Sequence, residues 1–413
     1  MTHLVSKLFR TLYGKSDFPP APSKKEGRYD VLFSVWNVFH SREQRRAFTR
    51  NGLSVHWVGN HYPPMRNEVT KRSFCWTSFL MLMSAFFIRK REAGRYASMW
   101  AFDRFSGSRR LDAKLVWAYG EFCTWLLRRA KKRGIPIVLD VPIAHMDDYY
   151  ALKSEYEACG VPWPDRQIRR WVASAREEYA LADWFNVGSS FVKKSLVSRG
   201  VPANQVLVIP YGIDASRWTD CHARRASHST FTFIFTASIG PRKGIRPLLL
   251  AWRQASIDGA ELHICGGTED SMDWNRVCGG LPPNVVFRGR VSHEMLAKLY
   301  AQSDVYVLPS LLEGMARSGL EAMAAGLPVL VTKETGLGDF VSDGKEGWFV
   351  PARDVDALAE RLRWCASHPV EVHNAGEAAF RRMQGQDFAA YGDRCAQVVK
   401  DILSRGKPSM GLS

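Results

Sequence analysis

The feature that most constrains the fold of this chain is a regular alternation of short apolar segments with longer segments of helical periodicity. The apolar segments predict β-strands, and strands that alternate with helices predict βαβ units, parallel sheets and right-handed crossovers. A length of 413 residues allows two or three domains of roughly 150 residues each. The expected fold class is therefore α/β, with doubly wound parallel sheets.

The alternation runs in two series that meet at about residue 213, in the turn-rich sequence PYGID. Predicted strands of the first series are 29–35, 53–58, 114–118, 137–141, 183–187 and 205–209, and its helices are 41–51, 122–133 and 190–199. Predicted strands of the second series are 232–236, 261–265, 285–288, 305–308, 329–331 and 347–350, and its helices are 245–254, 293–301, 318–325 and 356–366. Two series predict two Rossmann-like domains with a cleft between them, and ligands bind beyond the carboxyl ends of such strands.

The excess positive charge lies in the first half of the chain. The net charge is +16, and residues 1–220 hold 35 basic and 20 acidic residues. Clusters of arginine and lysine on the predicted helices 41–51 and 122–133 favour an anionic membrane surface or a phosphorylated substrate, although a solubilising surface explains them as well. A nucleic acid is not expected as a partner, because no helix-turn-helix, RNP or zinc pattern is visible.

Cysteines, the amino terminus and the longest apolar run give weaker constraints. The eight cysteines are scattered without Cys-x-x-Cys spacing, so reduced thiols in a cytosol are expected rather than a disulfide framework. Residues 1–10 have no apolar run of signal-peptide length, so no export signal is expected. The run 74–88 is too short to span a bilayer. It predicts either a core helix or an interfacial helix with basic flanks.

The strongest chemical signal is the sequence EGMARSGLEAMAAG at 313–326. It follows a predicted strand and opens a helix, so its small residues leave main-chain N–H groups available to an anion. The carboxylate of Glu313 suits vicinal sugar hydroxyls, because it can accept two hydrogen bonds. A plain helix start with a favourable acidic charge is the alternative reading.

A second signal is the sequence SIGPRKG at 238–244, which also lies between a strand and a helix. Arg242 supplies a planar fork and Lys243 a point charge, and both suit a diphosphate. Cations fixed at this turn would assist departure of a nucleoside diphosphate, which gains negative charge in the transition state. The alternative is an exposed basic turn.

These motifs resemble those of retaining GT-B glycosyltransferases, in particular glycosyltransferase family 4 (group 1 type). The resemblance rests on Glu313-x7-Glu321 and on the frame that follows it: Ala324 to Val329, Gly336 to Asp339, Asp343-Gly344 and Gly347. It runs from Tyr29 to about Leu403. It implies the GT-B fold, with an acceptor-side domain at 1–213, a nucleotide-sugar-binding domain at 214–387, and a C-terminal helix at 388–403 that returns to the first domain.

The resemblance also implies roles for individual residues. Glu313 would contact the donor sugar beside its anomeric carbon, and Glu321 would bind the ribose. The main-chain amides of Gly314, Met315 and Ala316 would meet the sugar or the diphosphate. The arginine that the family usually has five positions before the lysine is Ser238 here, so Arg242 is expected to take its role beside Lys243.

Two weaker assignments follow from the same resemblance. His145 comes just after the predicted strand 137–141, and it would contact the sugar near C6 or near the reacting centre. Arg290 and Val291 would lie near the nucleotide base, through main-chain contacts. Glu155 and Glu157 are interpreted as the polar face of a helix.

No metal or organic cofactor is expected. The Asp-x-Asp at 354–356 opens a predicted helix, so helix capping explains it, and no His, Cys and Asp cluster has metal-ligand spacing. The dinucleotide fingerprint, the Walker lysine motif and the Gly-x-Ser-x-Gly elbow are also missing. These observations argue against a dehydrogenase, an NTPase and an α/β-hydrolase.

The resemblance thus implies a hexosyltransferase that uses a nucleotide diphosphate sugar and transfers with retention to a glycan or a polyprenyl-diphosphate-linked glycan. Cell-surface polysaccharide or glycolipid synthesis is the expected context. The expected location is the cytoplasm, with peripheral binding to the cytoplasmic face of the membrane. Two alternatives stay open: another GT-B enzyme such as a sugar-nucleotide epimerase, and a basic membrane- or nucleic-acid-binding scaffold with a vestigial site.

Overall fold

A computed structural model describes residues 28–35, 41–59, 102–104, 106, 111–120, 123–214, 217–218, 221–222, 230–268 and 272–408. Its strands form two parallel sheets of six strands each, with the orders β2-β1-β3-β4-β5-β6 and β12-β11-β10-β7-β8-β9. The first sheet contains β1 (Tyr29–Val35), β2 (Val55–Gly59), β3 (Ala113–Tyr119), β4 (Ile137–Val141), β5 (Trp184–Val187) and β6 (Val206–Val208). The second contains β7 (Phe231–Thr236), β8 (Ala260–Cys265), β9 (Val285–Gly289), β10 (Val305–Leu308), β11 (Val329–Val331) and β12 (Gly347–Phe349).

Helices connect these strands. In the first half of the chain they are α1 (Ser41–Arg50), α2 (Thr124–Lys132), α3 (Met146–Tyr150), α4 (Lys153–Ala158), α5 (Asp165–Leu181) and α6 (Ser190–Ser198). In the second half they are α7 (Ile245–Ala255), α8 (Trp274–Cys278), α9 (His293–Ala301), α10 (Arg317–Ala324), α11 (Val355–Ser367), α12 (Pro369–Arg382) and α13 (Phe388–Arg405). Short 3-10 turns at Pro241–Lys243, Lys333–Thr335 and Leu337–Asp339 complete the connections near the second sheet.

All twelve predicted strands are confirmed, with ends that differ by two residues or fewer. The strands can be recognised in the sequence because they are buried. For example, β4, β10 and β11 are buried along their whole length, so each is a largely apolar run. The helices α3, α5, α8 and α12 were not predicted, and α4 was expected only as a helix with Glu155 and Glu157 on its polar face, without stated bounds. They are short or rich in polar residues, so their apolar periodicity is weak.

The order of the second sheet fixes the position of both motifs. β7 and β10 are hydrogen-bonded neighbours, with Val305 opposite Phe233 and Tyr306 opposite Ile234. Because the two strands are parallel, their carboxyl ends lie at the same edge of the sheet. The turn at 238–244 follows β7 and the loop at 309–316 follows β10, so the topology places the two motifs side by side.

The described residues divide into two compact units. One contains the described residues of 28–140, 173–184 and 395–408, and the other contains those of 141–172 and 185–394. His145 and both motifs belong to the second unit. The domain boundaries that the sequence suggests, at residue 213 and at about residue 387, stay predictions.

Several basic residues of the first unit are paired with acidic neighbours. Arg128 forms a two-pronged ion pair with Glu177, with Nη2 at 2.6 Å from Oε2. Lys131 lies 2.6 Å from Asp183. These pairs reduce the positive charge that helix α2 can offer to an anionic surface, and binding to such a surface stays a prediction.

In the part of the chain that the structure describes, no helix combines the length and the apolar character needed to cross a bilayer. The apolar run at 74–88 lies outside the described residues, so its two readings stay as predictions. The seven described cysteines are all buried.

Candidate active site

The turn after β7 is shaped by a glycine. Gly244 has φ of +72°, and a Cβ atom there would lie 1.8 Å from the carbonyl oxygen of Pro309. Only glycine fits such a contact and such a backbone angle. The N–H of Leu311 donates to the carbonyl oxygen of Arg242 at 2.9 Å. The turn is thereby tied directly to the loop that follows β10.

Glu313 lies in that loop, and its side chain pairs with both cations of the turn. Arg242 Nη1 donates to Glu313 Oε1 at 2.6 Å and to the carbonyl oxygen of Leu312 at 2.9 Å. Lys243 Nζ forms a close ion pair with the same Oε1 atom. Residue Glu313 is 8% exposed, so a carboxylate and two cations meet in a nearly dry environment.

The pairing decides the charge of each group. Burial raises the pKa of Glu313, but Arg242 and Lys243 outweigh that effect and hold the pKa below its ordinary value. Burial lowers the pKa of Lys243, and Glu313 opposes this change only in part. The cluster therefore favours an ionised Glu313 beside basic groups, and it can hold an anion next to a hydrogen-bond acceptor.

The loop after β4 lies against the loop that carries Glu313. A Cβ atom at Gly314 would lie 1.7 Å from the carbonyl oxygen of Pro142, so the loop that carries His145 packs against the residue next to Glu313. His145 is buried and is the N-cap of α3, where its Nδ1 accepts the N–H of Asp147 at 3.2 Å. In the neutral imidazole the proton is then on Nε2.

The remaining predicted site residues have other partners. Glu321 lies on α10 and pairs with Arg317 at 3.2 Å, one helical turn away. Burial raises the pKa of Glu321, and Arg317 opposes this rise. Arg290 follows β9, and its guanidinium covers Gly267, where a Cβ atom would lie 2.4 Å from Nε. Val291 is half-buried beside it.

The main-chain groups of 314–316 lie within the second motif, between Glu313 and the start of α10. The N–H of Ala316 donates to the carbonyl oxygen of Thr335 at 2.8 Å, so this amide is occupied by the protein itself. Gly314 and Met315 are buried beside it. Of the three predicted amide donors, Ala316 is thus engaged in holding the loop.

The burial of Glu155 contradicts the prediction that it lies on the polar face of a helix. Glu155 is 7% exposed, whereas the side chain of Glu157 on the same helix is 59% exposed. Its Oε1 atom is buried and accepts no hydrogen bond from the described residues. Burial raises the pKa of Glu155, against the influence of Arg246 and Arg353. Helix α4 packs on the turn Pro241–Lys243, and this tertiary contact, invisible in the sequence, buries one glutamate and leaves the other in solvent.

Replacing Glu155 with glutamine is expected to raise the free energy of unfolding near neutral pH by about 1 kcal/mol, since a buried charge without a hydrogen-bond donor is removed. A raised folded-state pKa contributes stability below the unfolded pKa and loses it as the pH rises through the folded pKa. The difference in Tm between variant and wild type should therefore be near zero at about pH 4 and grow toward pH 7. Glu157→Gln is the matched control, and a Tm difference for Glu155→Gln that does not vary with pH would argue against the burial of a charge.

No group of three or more His, Cys, Asp or Glu side chains in the described ranges is arranged to hold a metal ion. Asp354 caps α11, with its Oδ1 accepting the N–H of Ala357 at 2.9 Å. The capping interpretation of the Asp-x-Asp sequence is confirmed.

Comparison with known proteins finds a family match within the second half of the chain. Residues 230–368 match the family model described as "Glycosyl transferases group 1", so this segment is similar to a group 1 glycosyltransferase domain. The chain is 27% identical over 269 residues to the MMP alpha-(1->4)-mannosyltransferase of Mycolicibacterium hassiacum, which covers 63% of each chain. It is 30% identical over 193 residues to the GDP-mannose-dependent alpha-(1-6)-phosphatidylinositol monomannoside mannosyltransferase of Mycobacterium tuberculosis, which covers 42% of this chain and 50% of the relative.

These matches span about half to two thirds of the curated relatives' length. The fold comparison extends further. The sucrose-phosphate synthase of Thermosynechococcus elongatus superposes with a TM-score of 0.64 at 18% identity, over 91% of this chain and 100% of that chain. Together with the two parallel six-stranded sheets, this superposition confirms the predicted GT-B fold.

Proposed function

We propose that this protein transfers a hexose from a nucleotide diphosphate sugar to a hydroxyl group of a glycan or a polyprenyl-diphosphate-linked glycan, with retention of configuration. The match of residues 230–368 to the group 1 glycosyltransferase model supports this proposal. The observation that carries the proposal is the meeting of Glu313, Arg242 and Lys243 at the carboxyl ends of β10 and β7. An acceptor for sugar hydroxyls and two cations for a diphosphate then lie within one hydrogen-bonded cluster. The relative that is named GDP-mannose-dependent supports a donor of this class.

In the proposed reaction, the bond between the anomeric carbon and the β-phosphate oxygen breaks while the acceptor oxygen bonds to the same face of the sugar. The departing phosphate oxygen takes the proton of the acceptor hydroxyl, so no protein nucleophile is needed. Arg242 and Lys243 stabilise the negative charge that develops on the leaving group. They supply fixed positive charge where a metal ion would otherwise act, and metal-independent transfer is part of the proposal.

The other residues have supporting roles in this proposal. Glu313 positions the sugar through its hydroxyls, and His145 contacts the sugar near C6 or near the reacting centre. Glu321 holds the ribose, and Arg290 and Val291 lie near the base. The partial burial of the Glu321 side chain supports its role, because a carboxylate with little exposure binds vicinal hydroxyls with less competition from water.

The proposed context is the synthesis of a cell-surface polysaccharide or glycolipid at the cytoplasmic face of a membrane. A relative whose name includes a phosphatidylinositol mannoside supports a lipid-linked acceptor. The basic first half of the chain supports binding to an anionic surface, although Glu177 and Asp183 offset the positive charge of Arg128 and Lys131 locally.

Binding of the donor nucleotide is expected to raise the Tm of the protein. A ligand at about 100 times its Kd stabilises the folded state by about 2.7 kcal/mol, which corresponds to a rise of several degrees. UDP-, GDP- and ADP-sugars are compared by thermal shift, with the free hexose as the control ligand. A rise with one nucleotide sugar, followed by transfer to an added acceptor, supports the proposal. Tm values with all three nucleotide sugars that equal the value with the free hexose contradict the proposal. Release of nucleotide with an epimerised sugar and no transfer also contradicts it.

A further inference from the structure

Ser189, which the sequence analysis did not single out, contacts the loop that carries Glu313. It is fully buried and is the N-cap of α6. Its hydroxyl donates a short hydrogen bond to the carbonyl oxygen of Gly314. The capping bond that the same oxygen accepts from the N–H of Val192 is long, at 3.4 Å. The stronger of the two contacts therefore connects Ser189 to the Glu313 loop rather than to its own helix.

The space around the Gly314 carbonyl is filled from several directions. A Cβ atom at Gly336 would lie 2.2 Å from the Gly314 oxygen and 2.7 Å from Ser189 Oγ, and one at Gly314 would lie 1.7 Å from the oxygen of Pro142. The main chains of three loops thus approach each other more closely than any side chain allows. Such packing leaves the Gly314–Met315 peptide a single orientation.

That orientation directs one main-chain donor. A trans peptide is planar, so its N–H points opposite to its C=O, and the N–H of Met315 points away from Ser189. Within the described part of the chain, this N–H donates to no other residue, while the next amide, that of Ala316, is bonded to Thr335. A buried peptide with a fixed carbonyl and an unengaged N–H is suited to bind an anion.

We infer that Ser189 is a positioning residue for the donor site: its hydroxyl holds the Gly314–Met315 peptide so that the Met315 N–H is available to the donor's sugar or diphosphate. The inference rests on the proposed function. The same hydrogen bond fixes the backbone next to Glu313, so loss of the hydroxyl disturbs both the amide and the carboxylate. Ser189 itself does not contact the reacting atoms.

The test compares Ser189→Ala with a control that weakens the same helix start in another way. Asp339 accepts the N–H of Ser190 at 2.7 Å, so Asp339→Ala removes a bond from the start of α6 without touching the Gly314 carbonyl. Ser189→Ala is expected to lower kcat/KM for the nucleotide sugar about tenfold and to weaken binding of the nucleoside diphosphate product by a similar factor. Both variants are expected to lower Tm by similar amounts, because each removes a bond from the start of α6. The kcat/KM of Asp339→Ala is expected to stay within about twofold of the wild type.

Ser189→Thr keeps a hydroxyl at the same position, and it is expected to restore most of the lost kcat/KM. Equal effects of Ser189→Ala and Asp339→Ala on kcat/KM and on product binding would show that Ser189 only stabilises α6, and would overturn the inference alone. A wild-type protein that binds no nucleotide sugar and transfers no hexose would overturn the proposed function, and the inference with it.

Discussion

Replacing Glu313 with glutamine is expected to lower the free energy of unfolding by about 3 kcal/mol and to reduce hexose transfer by about 100-fold or more. The carboxylate is the shared partner of Arg242 and Lys243 in a nearly dry cluster. Without it, two partly buried cations face each other with no opposite charge, and breaking a buried ion pair by removing one partner leaves an uncompensated charge. The two effects are measured by urea unfolding and by a transfer assay with the donor identified by thermal shift.

Glu360→Gln is a suitable control, because Glu360 is exposed on α11 and its substitution should change neither quantity. The stability effect also has a defined pH dependence. Since the pKa of Glu313 in the folded protein lies below its ordinary value, its contribution is present above the unfolded pKa and is lost as the pH falls through the folded pKa. The difference between wild type and Glu313→Gln should therefore shrink at acidic pH. A folded Glu313→Gln variant with full transfer activity would show that Glu313 has no role in transfer.

Replacing Lys243 with alanine is expected to lower the rate of transfer by about 100-fold. The ammonium group is buried against Glu313, where it can oppose the charge that builds up on the leaving diphosphate. An interaction of this kind is stronger in the transition state than in the ground state, so kcat should fall more than KM rises. Lys333→Ala is the control, since Lys333 is exposed in the same unit. An unchanged kcat in a folded Lys243→Ala protein would refute the role.

The pH profile distinguishes a charged lysine from a merely structural one. Burial lowers the pKa of Lys243, and Glu313 opposes that change. In the wild type, transfer should therefore decrease on the alkaline side as Lys243 loses its proton. In Glu313→Gln the residual activity should decrease at a lower pH, because the group that raises the pKa of Lys243 is gone. An alkaline limb at the same pH in both proteins would indicate that another group controls it.

The fold was largely predictable because parallel strands are covered on both faces. Runs such as 137–141 and 305–308 are fully buried, so their composition identifies them without knowledge of their neighbours. Helix α4 was expected only as a polar helix without stated bounds, because its six residues hold two glutamates and one lysine. Its location on the turn Pro241–Lys243 follows from a tertiary contact that no local pattern encodes.

The chemistry of the site was also visible in part. The two motifs mark a carboxylate and a pair of cations, each between a strand and a helix. Their distance from each other was not encoded locally, because about 70 residues separate Lys243 from Glu313. Sheet order decides it: β10 pairs with β7 rather than with β9, the strand before it in the chain.

The sequence by itself determined the strands, the α/β class and which side chains could handle a sugar and a diphosphate, since these depend on local composition and on the spacing of apolar residues. Only the tertiary structure decided that one carboxylate oxygen of Glu313 receives both cations, that Glu155 is buried while Glu157 is exposed, and that Ser189 holds the Gly314 carbonyl. Each of these contacts joins segments that lie far apart in the chain, and their approach is set by strand order and by close packing of main-chain loops around glycines.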